Sequence, residues 1–310
     1  VSHRSRYSLR SRTVDSTSRP AQSISEHLIF VSLNQGRNTI SAWLSECVWN
    51  EKTGLGCDVK DRELKFDIIP NDHPYHNAKN PRTVGRANEK LASAVEEVKK
   101  DGRTCLVVGG DHSLAIGSIS GHAKTEPVIW FDAHADINTP LTSLSGNMHG
   151  QPVAFLLKEL KVSGVPGFEW LKPCLSAEDI VYIGLRDVDD AEQPTFPKDR
   201  QEQTLSLNII SPQKINKKKP IHLSFDVDGL DPPLTPATGT PVPGGVTLRE
   251  GIYVAEQLYK TGLLSAVDTV EINPRLGKTQ EEVDSTVNTA VSIILSGFGK
   301  AREGSHSCSY

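Results

Sequence analysis

The sequence lacks the features of disulfide-rich, membrane and nucleic-acid-binding proteins. Its 310 residues include five cysteines with neither a C-x-x-C pair nor a disulfide framework. That pattern favours a reducing compartment and argues against iron–sulfur or structural zinc sites. No apolar run approaches the roughly 20 residues of a membrane-spanning helix. Because the net charge is -4, a polyanionic partner is disfavoured, and we expect neither nucleic acid nor a membrane as partner.

The first part of the chain lacks the pattern of a packed layer. We leave residues 1–54 unassigned, with His27–Leu33 as one candidate strand. The Arg- and Ser-rich start has the composition of a mitochondrial transit peptide. It has few apolar residues for an amphipathic face, so we interpret it as a disordered polar tail.

From residue 55 to residue 310 we predict a single α/β domain. Apolar spacing of three and four predicts helices over 86–100 and 148–160, and two more after capping boxes at Thr247 and Thr279. Short apolar runs predict strands at 105–108, 128–131, 180–184, 221–225 and 263–270. This alternation predicts three layers, with a mostly parallel sheet and helices on both faces.

Three metal-type side chains stand together after the 128–131 strand. Asp132, His134 and Asp136 are two residues apart, a spacing that places side chains of an extended backbone on one face. Any one of them alone is more readily a solvated or packed side chain at a turn. Together, two carboxylates and an imidazole repel or lose hydration unless a cation lies among them. The spacing therefore predicts a metal site.

Two other strand ends supply further ligand candidates. His112 follows the 105–108 strand, and Asp226 and Asp228 follow the 221–225 strand. In parallel sheets ligands bind at the carboxyl ends of strands. Six candidates exceed the needs of one ordinary site, which indicates two metals sharing a carboxylate. The oxygen-rich set without thiolate favours Mn²⁺ or a similar hard ion, and metal-assisted hydrolysis is the expected chemistry.

Several motifs carry a resemblance to the ureohydrolases. Three of them, GGDHS (109–113), DAHAD (132–136) and SFDVD (224–228), resemble that family's metal motifs. The arginase branch is indicated by DINTPLT (136–142), SGNMHG (145–150), GLRDVD (184–189), PATGTP (236–241) and EINP (271–274). The similarity is nearly continuous over 56–192 and 220–306, and looks most like the animal hepatic-type enzyme.

The resemblance implies two Mn²⁺ ions per subunit and hydrolysis of L-arginine to L-ornithine and urea, as in the urea cycle. One manganese would be bound by His112, Asp132, Asp136 and Asp226. The other would be bound by His134, Asp132, Asp226 and Asp228, so that Asp132 and Asp226 bridge. Water activated between the ions would attack the guanidinium carbon.

The resemblance also implies catalytic roles around the metals. Asp136 would accept the proton left after attack. His149 would shuttle protons to the leaving amine and to bulk water, a role that a near-neutral pKa suits. Glu271 would face the guanidinium cation, with Thr240 beside it.

Amino-acid recognition follows from the same resemblance. Asn138, Ser145 and Asn147 would bind the α-carboxylate, and Asp189 and Glu192 the α-ammonium. Neutral donors suit a carboxylate, and acids suit an ammonium group. Asn138 and Ser145 also fit the alternative role of turn-capping side chains.

Three segments depart from the family pattern: 1–54, 193–219 and the tail ending at Tyr310. The family uses this tail in trimer contacts, so a homotrimer is expected where scaffold and tail are intact. The departures keep open a catalytically inactive arginase-like variant. An agmatinase is the other alternative, although agmatine has no carboxylate for Asn138, Ser145 and Asn147. Hepatic-type resemblance implies the cytoplasm, and the Arg- and Ser-rich start leaves the mitochondrion open.

Overall fold

The structure is a computed structural model that describes residues 27–33, 58–122, 127–193 and 219–300. In these ranges the strands are β1 His27–Leu33, β2 Asp58–Leu64, β3 Thr104–Val108, β4 Val128–Phe131, β5 Ile180–Ile183, β6 Ile221–Asp226 and β7 Leu264–Val270. The α-helices are α1 Pro81–Lys100, α2 Ala115–His122, α3 Pro152–Leu156, α4 Leu248–Lys260 and α5 Gln280–Gly297. None of these helices has both the length and the apolar character needed to cross a membrane.

The strands form one sheet in the order β2-β1-β3-β7-β6-β4-β5. Every pairing between neighbouring strands is parallel. All residues of β3, β4 and β6 are buried, as expected for strands covered on both faces. The predicted parallel sheet is therefore confirmed.

Helices cover both faces of the sheet, which confirms the predicted three layers. On β3, Cys105 and Val107 pack in the cluster that contains the buried face of α1. The alternate residues Leu106 and Val108 pack in the larger cluster with α4 and α5. Residues two apart on the strand thus face the same helical layer, and adjacent residues face opposite layers.

Helix α2 lies unusually close to α1. A Cβ at Gly117 would be 2.5 Å from the carbonyl oxygen of Asn88, and one at Gly121 would be 2.3 Å from that of Ala92. Glycine at both positions allows this approach. The close packing brings the polar residues Ser118 and His122 of α2 into the interior, where both are buried.

Two predicted helices differ from the structure. Helix α1 begins at Pro81 rather than at residue 86, because proline is well suited to a first helical turn. The helix predicted over 148–160 is present, but only as the short α3, and a 3-10 turn, Met148–Gly150, precedes it. The helix ends because Leu157 is extended and forms a parallel bridge with Leu175.

The two predicted capping boxes also differ from each other. At Thr247, the side chain accepts from the N–H of Glu250, and the Glu250 carboxylate accepts the N–H of Thr247. At Thr279, the hydroxyl accepts from Glu282, but the Glu282 carboxylate accepts the N–H of Lys278 instead. Only the first box is complete.

Most of the segments that depart from the family pattern lie outside the described residues. Of 1–54 the structure describes β1, which pairs with β2 and β3 and confirms the candidate strand. Of 193–219 it describes the first and last residues, and the tail after residue 300 is not described. A domain boundary at residue 55 stays a prediction.

Candidate metal centre

The predicted ligands lie at the carboxyl ends of β3, β4 and β6. His112 begins a short 3-10 turn after β3, Asp132 directly follows β4, and Asp226 is the last residue of β6. Because β3, β7, β6 and β4 are consecutive parallel strands of the sheet, these ends lie at the same edge. This is where parallel sheets bind ligands.

A deep group forms around the ring of His112. His112 Nδ1 lies 2.8 Å from Asp132 Oδ2, 3.2 Å from Asp226 Oδ2 and 3.3 Å from Asp136 Oδ2. All four side chains are buried. The Nδ1 atom has no hydrogen-bond partner among the described residues. A buried nitrogen facing three carboxylate oxygens is what a cation among them would require.

A shallow group forms around His134. Its Nδ1 lies 3.1 Å from Asp228 Oδ2 and 3.3 Å from Asp132 Oδ1. Asp132 thus turns one oxygen toward each group. His112, Asp132 and Asp226 have the spacing to hold a metal ion, and so do Asp132, His134 and Asp228. The role of Asp136 as a further ligand stays a prediction. Asp226 belongs to the deep group only, so its predicted role as second bridge stays a prediction.

Backbone N–H groups orient these carboxylates. Asp132 Oδ1 accepts the N–H of His134, and Asp226 Oδ1 accepts that of Asp228. Asp228 Oδ1 accepts the N–H of Ala133. Local turns of this kind are favoured by Asp followed two residues later by a donor. They explain the repeated spacing of two.

The ligands Asp132 to Asp136 do not form the strand ladder from which they were predicted. Strand β4 ends at Phe131, and Asp136 has a left-handed backbone with φ 53°. The chain therefore curls back after the strand. The convergence is as predicted, but a loop produces it.

The charge balance at the centre favours a bound cation. Burial and carboxylate neighbours raise the pKa of Asp136, Asp226 and Asp228. Although burial alone would lower the pKa of His134, hydrogen bonds to Asp132 and Asp228 raise it to about 11. With all four carboxylates ionised, this space would carry excess negative charge, and the raised carboxyl pKa values reflect that repulsion. A divalent ion in each group would neutralise this charge, so the donor set fits two metal ions.

The predicted catalytic residues line the same space. The Oε1 atom of Glu271 accepts the N–H of His112 at 2.8 Å, and burial raises the pKa of this carboxyl to about 8. His149 Nδ1 lies 3.9 Å from the same oxygen. Thr240 donates its hydroxyl hydrogen to Asp228 Oδ2 at 3.0 Å. The structure thus brings Glu271, His149 and Thr240 to the metal centre.

Two loops next to the centre carry the predicted ammonium-binding residues. Asn138 Nδ2 donates to Asp189 Oδ2 at 2.8 Å. The buried carboxylate of Glu192 accepts the N–H groups of Ile137, Asn138 and Asp189. Burial raises the pKa of Glu192 to about 7. Glu192 therefore ties the loops together, and its contact with a substrate ammonium stays a prediction.

Ser145 and Asn147 lie on the adjoining surface loop. Ser145 Oγ accepts the N–H of Asn147 at 3.2 Å, and Asn147 Oδ1 accepts from Lys79 Nζ at 3.2 Å. The hydroxyl of Thr142 donates to Asn138 Oδ1. These contacts fit the turn-capping alternative, and they leave carboxylate binding by Asn138, Ser145 and Asn147 as a prediction.

Comparison with known families decides which reaction class this centre belongs to. The model of the arginase family matches residues 44–299. The chain belongs to the arginase family. It is 60% identical over 274 residues to human arginase-1, covering 81% of this chain and 83% of the relative. It is 58% identical over 274 residues to hepatic arginase of Aquarana catesbeiana, covering 82% and 84%.

A solved arginase has the same fold. The arginase of Bacillus caldovelox superposes with a TM-score of 0.74 at 31% identity, covering 88% of this chain and 98% of that one. The predicted α/β ureohydrolase fold is confirmed. The arginase family and the two His–Asp groups together support a binuclear metal site.

Sequence reasoning missed two residues that organise this arginase-family centre. The indole of Trp130 stacks on His112, with ring centroids 4.0 Å apart, and its N–H donates to Asp132 Oδ2 at 3.0 Å. The guanidinium of Arg186 donates to the carbonyl oxygens of Asp228 and Val242. A Trp inside a buried strand is a readable signal, because its N–H needs a partner. For Arg186, whose partners are backbone atoms, no such signal exists.

Proposed function

We propose that this chain hydrolyses L-arginine to L-ornithine and urea at the centre formed by the deep and shallow groups. One observation carries the proposal: in an arginase-family chain, two His–Asp groups share Asp132 at the carboxyl ends of parallel strands. Hydrolysis of an unreactive guanidinium needs a strong nucleophile at neutral pH. Two cations joined by a shared carboxylate would supply this nucleophile, because they lower the pKa of a bound water molecule.

Two Mn²⁺ ions would be bound, one in each group. The set has oxygen and imidazole donors and no thiolate, which suits a hard divalent ion. When bound, two such ions lower the pKa of a water molecule enough for it to attack at neutral pH. His112, Asp132, Asp136 and Asp226 would hold the ion of the deep group, and His134, Asp132, Asp226 and Asp228 would hold that of the shallow group.

Three residues of the chain handle protons and charge. Asp136, 3.3 Å from His112, accepts the proton left after attack. His149 has a side chain that is 39% exposed, so it can exchange protons with bulk water and protonate the leaving amine. Glu271 faces the guanidinium cation, and Thr240 stands beside it.

The rim of the centre recognises the amino-acid part of the substrate. Asn138, Ser145 and Asn147 bind the α-carboxylate, and Asp189 and Glu192 favour the α-ammonium. Support comes from their shared position: Asn138 and Asp189 are hydrogen-bonded to each other, and Glu192 contacts both. A substrate without a carboxylate would leave the neutral donors unmatched.

Assembly and compartment follow from the family resemblance alone. On this proposal the chain is cytoplasmic, with the mitochondrion as the alternative compartment, and it forms a homotrimer if its scaffold and tail are intact. Sedimentation of the purified chain tests the trimer. Fractionation of the source cells tests the compartment.

The deciding experiment measures urea release by the purified, metal-stripped chain after Mn²⁺ is added. We expect Mn²⁺-dependent urea from L-arginine, and faster turnover of L-arginine than of agmatine. Faster agmatine turnover would support an agmatinase instead. A folded chain that binds two Mn²⁺ ions and releases no urea would support the inactive variant.

A substrate-side comparison sharpens the same assay. Asn138→Ala removes a proposed carboxylate contact, so KM for L-arginine should rise about tenfold or more. Turnover of agmatine, which lacks the carboxylate, should change little. Equal losses for both substrates would contradict the assignment of Asn138 to the carboxylate.

A further inference from the structure

The loop that carries the proposed carboxylate-binding residues is joined at both ends to a neighbouring segment. At one end, the backbone N–H of Asn77 donates to the carbonyl oxygen of Pro140 at 2.8 Å. At the other, the backbone N–H of Lys79 donates to the carbonyl oxygen of Gly146 at 2.9 Å. Ala78, between these two donors, is fully buried. The segment therefore has a fixed position beside the rim of the metal centre.

The side chain of Lys79 extends along this loop to Asn147. A Cβ at Gly146 would be 3.4 Å from Cγ of Lys79, so the stem of the lysine passes close to that glycine. At its end, Nζ of Lys79 lies 3.2 Å from Oδ1 of Asn147. Because an ammonium group has only donors, the Asn147 amide must turn its oxygen toward Lys79. Its NH₂ group is then directed away from the lysine, where it can donate to another acceptor.

The two ends of the loop border opposite charges. Near its start, Asn138 donates to the carboxylate of Asp189. Near its end, Asn147 accepts from the ammonium group of Lys79. The negative charge favours an α-ammonium group, and the positive charge favours an α-carboxylate, so the charges are ordered as in an α-amino acid. The neutral donors proposed for the carboxylate lack this charge, and nothing in the proposed mechanism uses Lys79.

We propose that Lys79 is a positioning residue for the α-carboxylate of the substrate: it orients the Asn147 amide and adds a positive charge that favours ligands with a carboxylate. The inference rests on the proposed function, because it assumes that this rim binds the amino-acid part of L-arginine. Lys79 is exposed, so water and salt screen its charge. The expected effect is therefore on binding and specificity, and not on the chemical step at the metal centre.

Two ligands that differ by a carboxylate test the proposal without turnover. L-Ornithine carries the α-carboxylate, and putrescine is the same diamine without it. Calorimetric titration of the Mn²⁺-loaded chain gives the Kd of each ligand. Lys79→Met keeps an unbranched apolar stem and removes the charge, whereas Lys79→Arg keeps the charge. Lys90→Met is the matched control, because Lys90 is also exposed and also donates a hydrogen bond, to the carbonyl oxygen of Lys65.

We expect Lys79→Met to raise the Kd of L-ornithine about three- to fivefold, near the upper limit for an exposed charge pair. The Kd of putrescine should stay unchanged or fall, because putrescine is a dication that Lys79 repels. Lys79→Arg should restore the wild-type Kd of L-ornithine, and Lys90→Met should change neither Kd. High salt should reduce the difference between wild type and Lys79→Met.

Three results would overturn the proposal. One is a wild-type Kd for L-ornithine in Lys79→Met. Another is equal weakening of both ligands in that variant, which a general disturbance of the loop predicts. The third is a wild-type chain that does not bind L-ornithine more tightly than putrescine.

Steady-state kinetics separate this inference from the proposed function. In Lys79→Met, KM for L-arginine should rise about three- to fivefold while kcat stays near its wild-type value, since the lost interaction contributes to binding only. A lower kcat with an unchanged KM would contradict the assignment of Lys79 to the carboxylate. A wild-type chain that releases no urea would contradict the proposed function, and the Kd values of L-ornithine and putrescine would still decide the role of Lys79.

Discussion

The deep and shallow groups share Asp132 but differ in their surroundings. The side chain of His112 is 1% exposed, stacks on Trp130 and is hydrogen-bonded to Ser224 behind it. The side chain of His134 is 25% exposed, and its outer nitrogen lies 3.7 Å from Asp187, which is 59% exposed. One imidazole is held by buried protein, and the other faces water.

This difference separates two tasks of a binuclear centre. Fixed neighbours on every side reduce the freedom that His112 loses when it binds an ion. Water access around His134 leaves space where a substrate and its leaving group can approach. We therefore expect the ion of the deep group to bind more tightly, and the chemistry to proceed from the shallow side.

The largest effect is expected from the residue that the two groups share. Asp132→Ala removes an oxygen from each, so both Mn²⁺ affinities should fall, and urea release should drop by more than about 100-fold. Metal content by atomic absorption and a urea assay check this. Asp190→Asn, an exposed acid nearby, is the control and should retain activity. Normal metal content in Asp132→Ala would contradict the role of Asp132 as a ligand shared by both groups.

The two histidines test the difference between the groups directly. His134→Asn should leave one ion in the intact deep group, whereas His112→Asn should leave one in the shallow group. Because the deep group is held more firmly, the ion remaining in His134→Asn should bind about tenfold more tightly. Mn²⁺ titration of both variants measures this. Equal affinities would mean that burial around His112 contributes nothing to ion binding.

A smaller effect should follow from Trp130. Trp130→Phe keeps an aromatic ring for His112 but removes the indole N–H from Asp132. Hydrogen bonds to charged groups contribute about 1.5–3 kcal/mol, so Mn²⁺ affinity should fall by roughly 10-fold or somewhat more. Trp170→Phe is the matched control, since its N–H donates to backbone carbonyls of Gly85 and Gly167. A similar loss in both variants would contradict a specific role of the indole.

The smallest effect on the centre should come from Lys99, which a series of buried polar side chains separates from His112. Its ammonium group donates to Ser265, and burial lowers its pKa from 10.5 to about 8. Between these values the unfolded chain holds a proton that the folded chain has lost, so this residue makes the free energy of unfolding rise with pH. The rise is at most about 3 kcal/mol.

Lys99→Met should remove that rise and change Mn²⁺ affinity by less than about threefold, since several residues separate it from His112. Denaturant unfolding at pH 8 and pH 10 measures the slope. Lys100→Met is the control, because Lys100 is an exposed residue paired with Glu96. A large loss of Mn²⁺ affinity in Lys99→Met would mean that the polar side chains between Lys99 and His112 couple the two residues.

The sequence was sufficient for features that depend on short-range spacing. Strand β4 was predicted correctly, because buried parallel strands are continuous apolar runs. The metal-ligand roles of the residues that follow it stay a prediction. The bounds of the helix over 148–160 were not predicted correctly. Its end depends on the bridge between Leu157 and Leu175, which residue spacing does not reveal. Residues of the substrate rim came from family resemblance, not from spacing.

The buried polar residues behind His112 show which contacts residue spacing alone does not predict. His222, Ser224 and Asp226 alternate along β6, so a polar face on a buried strand was readable. Their partner Asp268 lies on β7, and only the strand order brings it next to Ser224. His222 is fully buried and contacts Asp268.

The most direct test of a two-metal centre with unequal positions is a Mn²⁺ titration of the metal-stripped wild-type chain, with urea release from L-arginine followed at each step. We expect two bound ions of unequal affinity, with the tighter one lost in His112→Asn and full activity only when both positions are filled. Urea release that is independent of Mn²⁺, or that is complete with one ion per chain, would contradict this expectation.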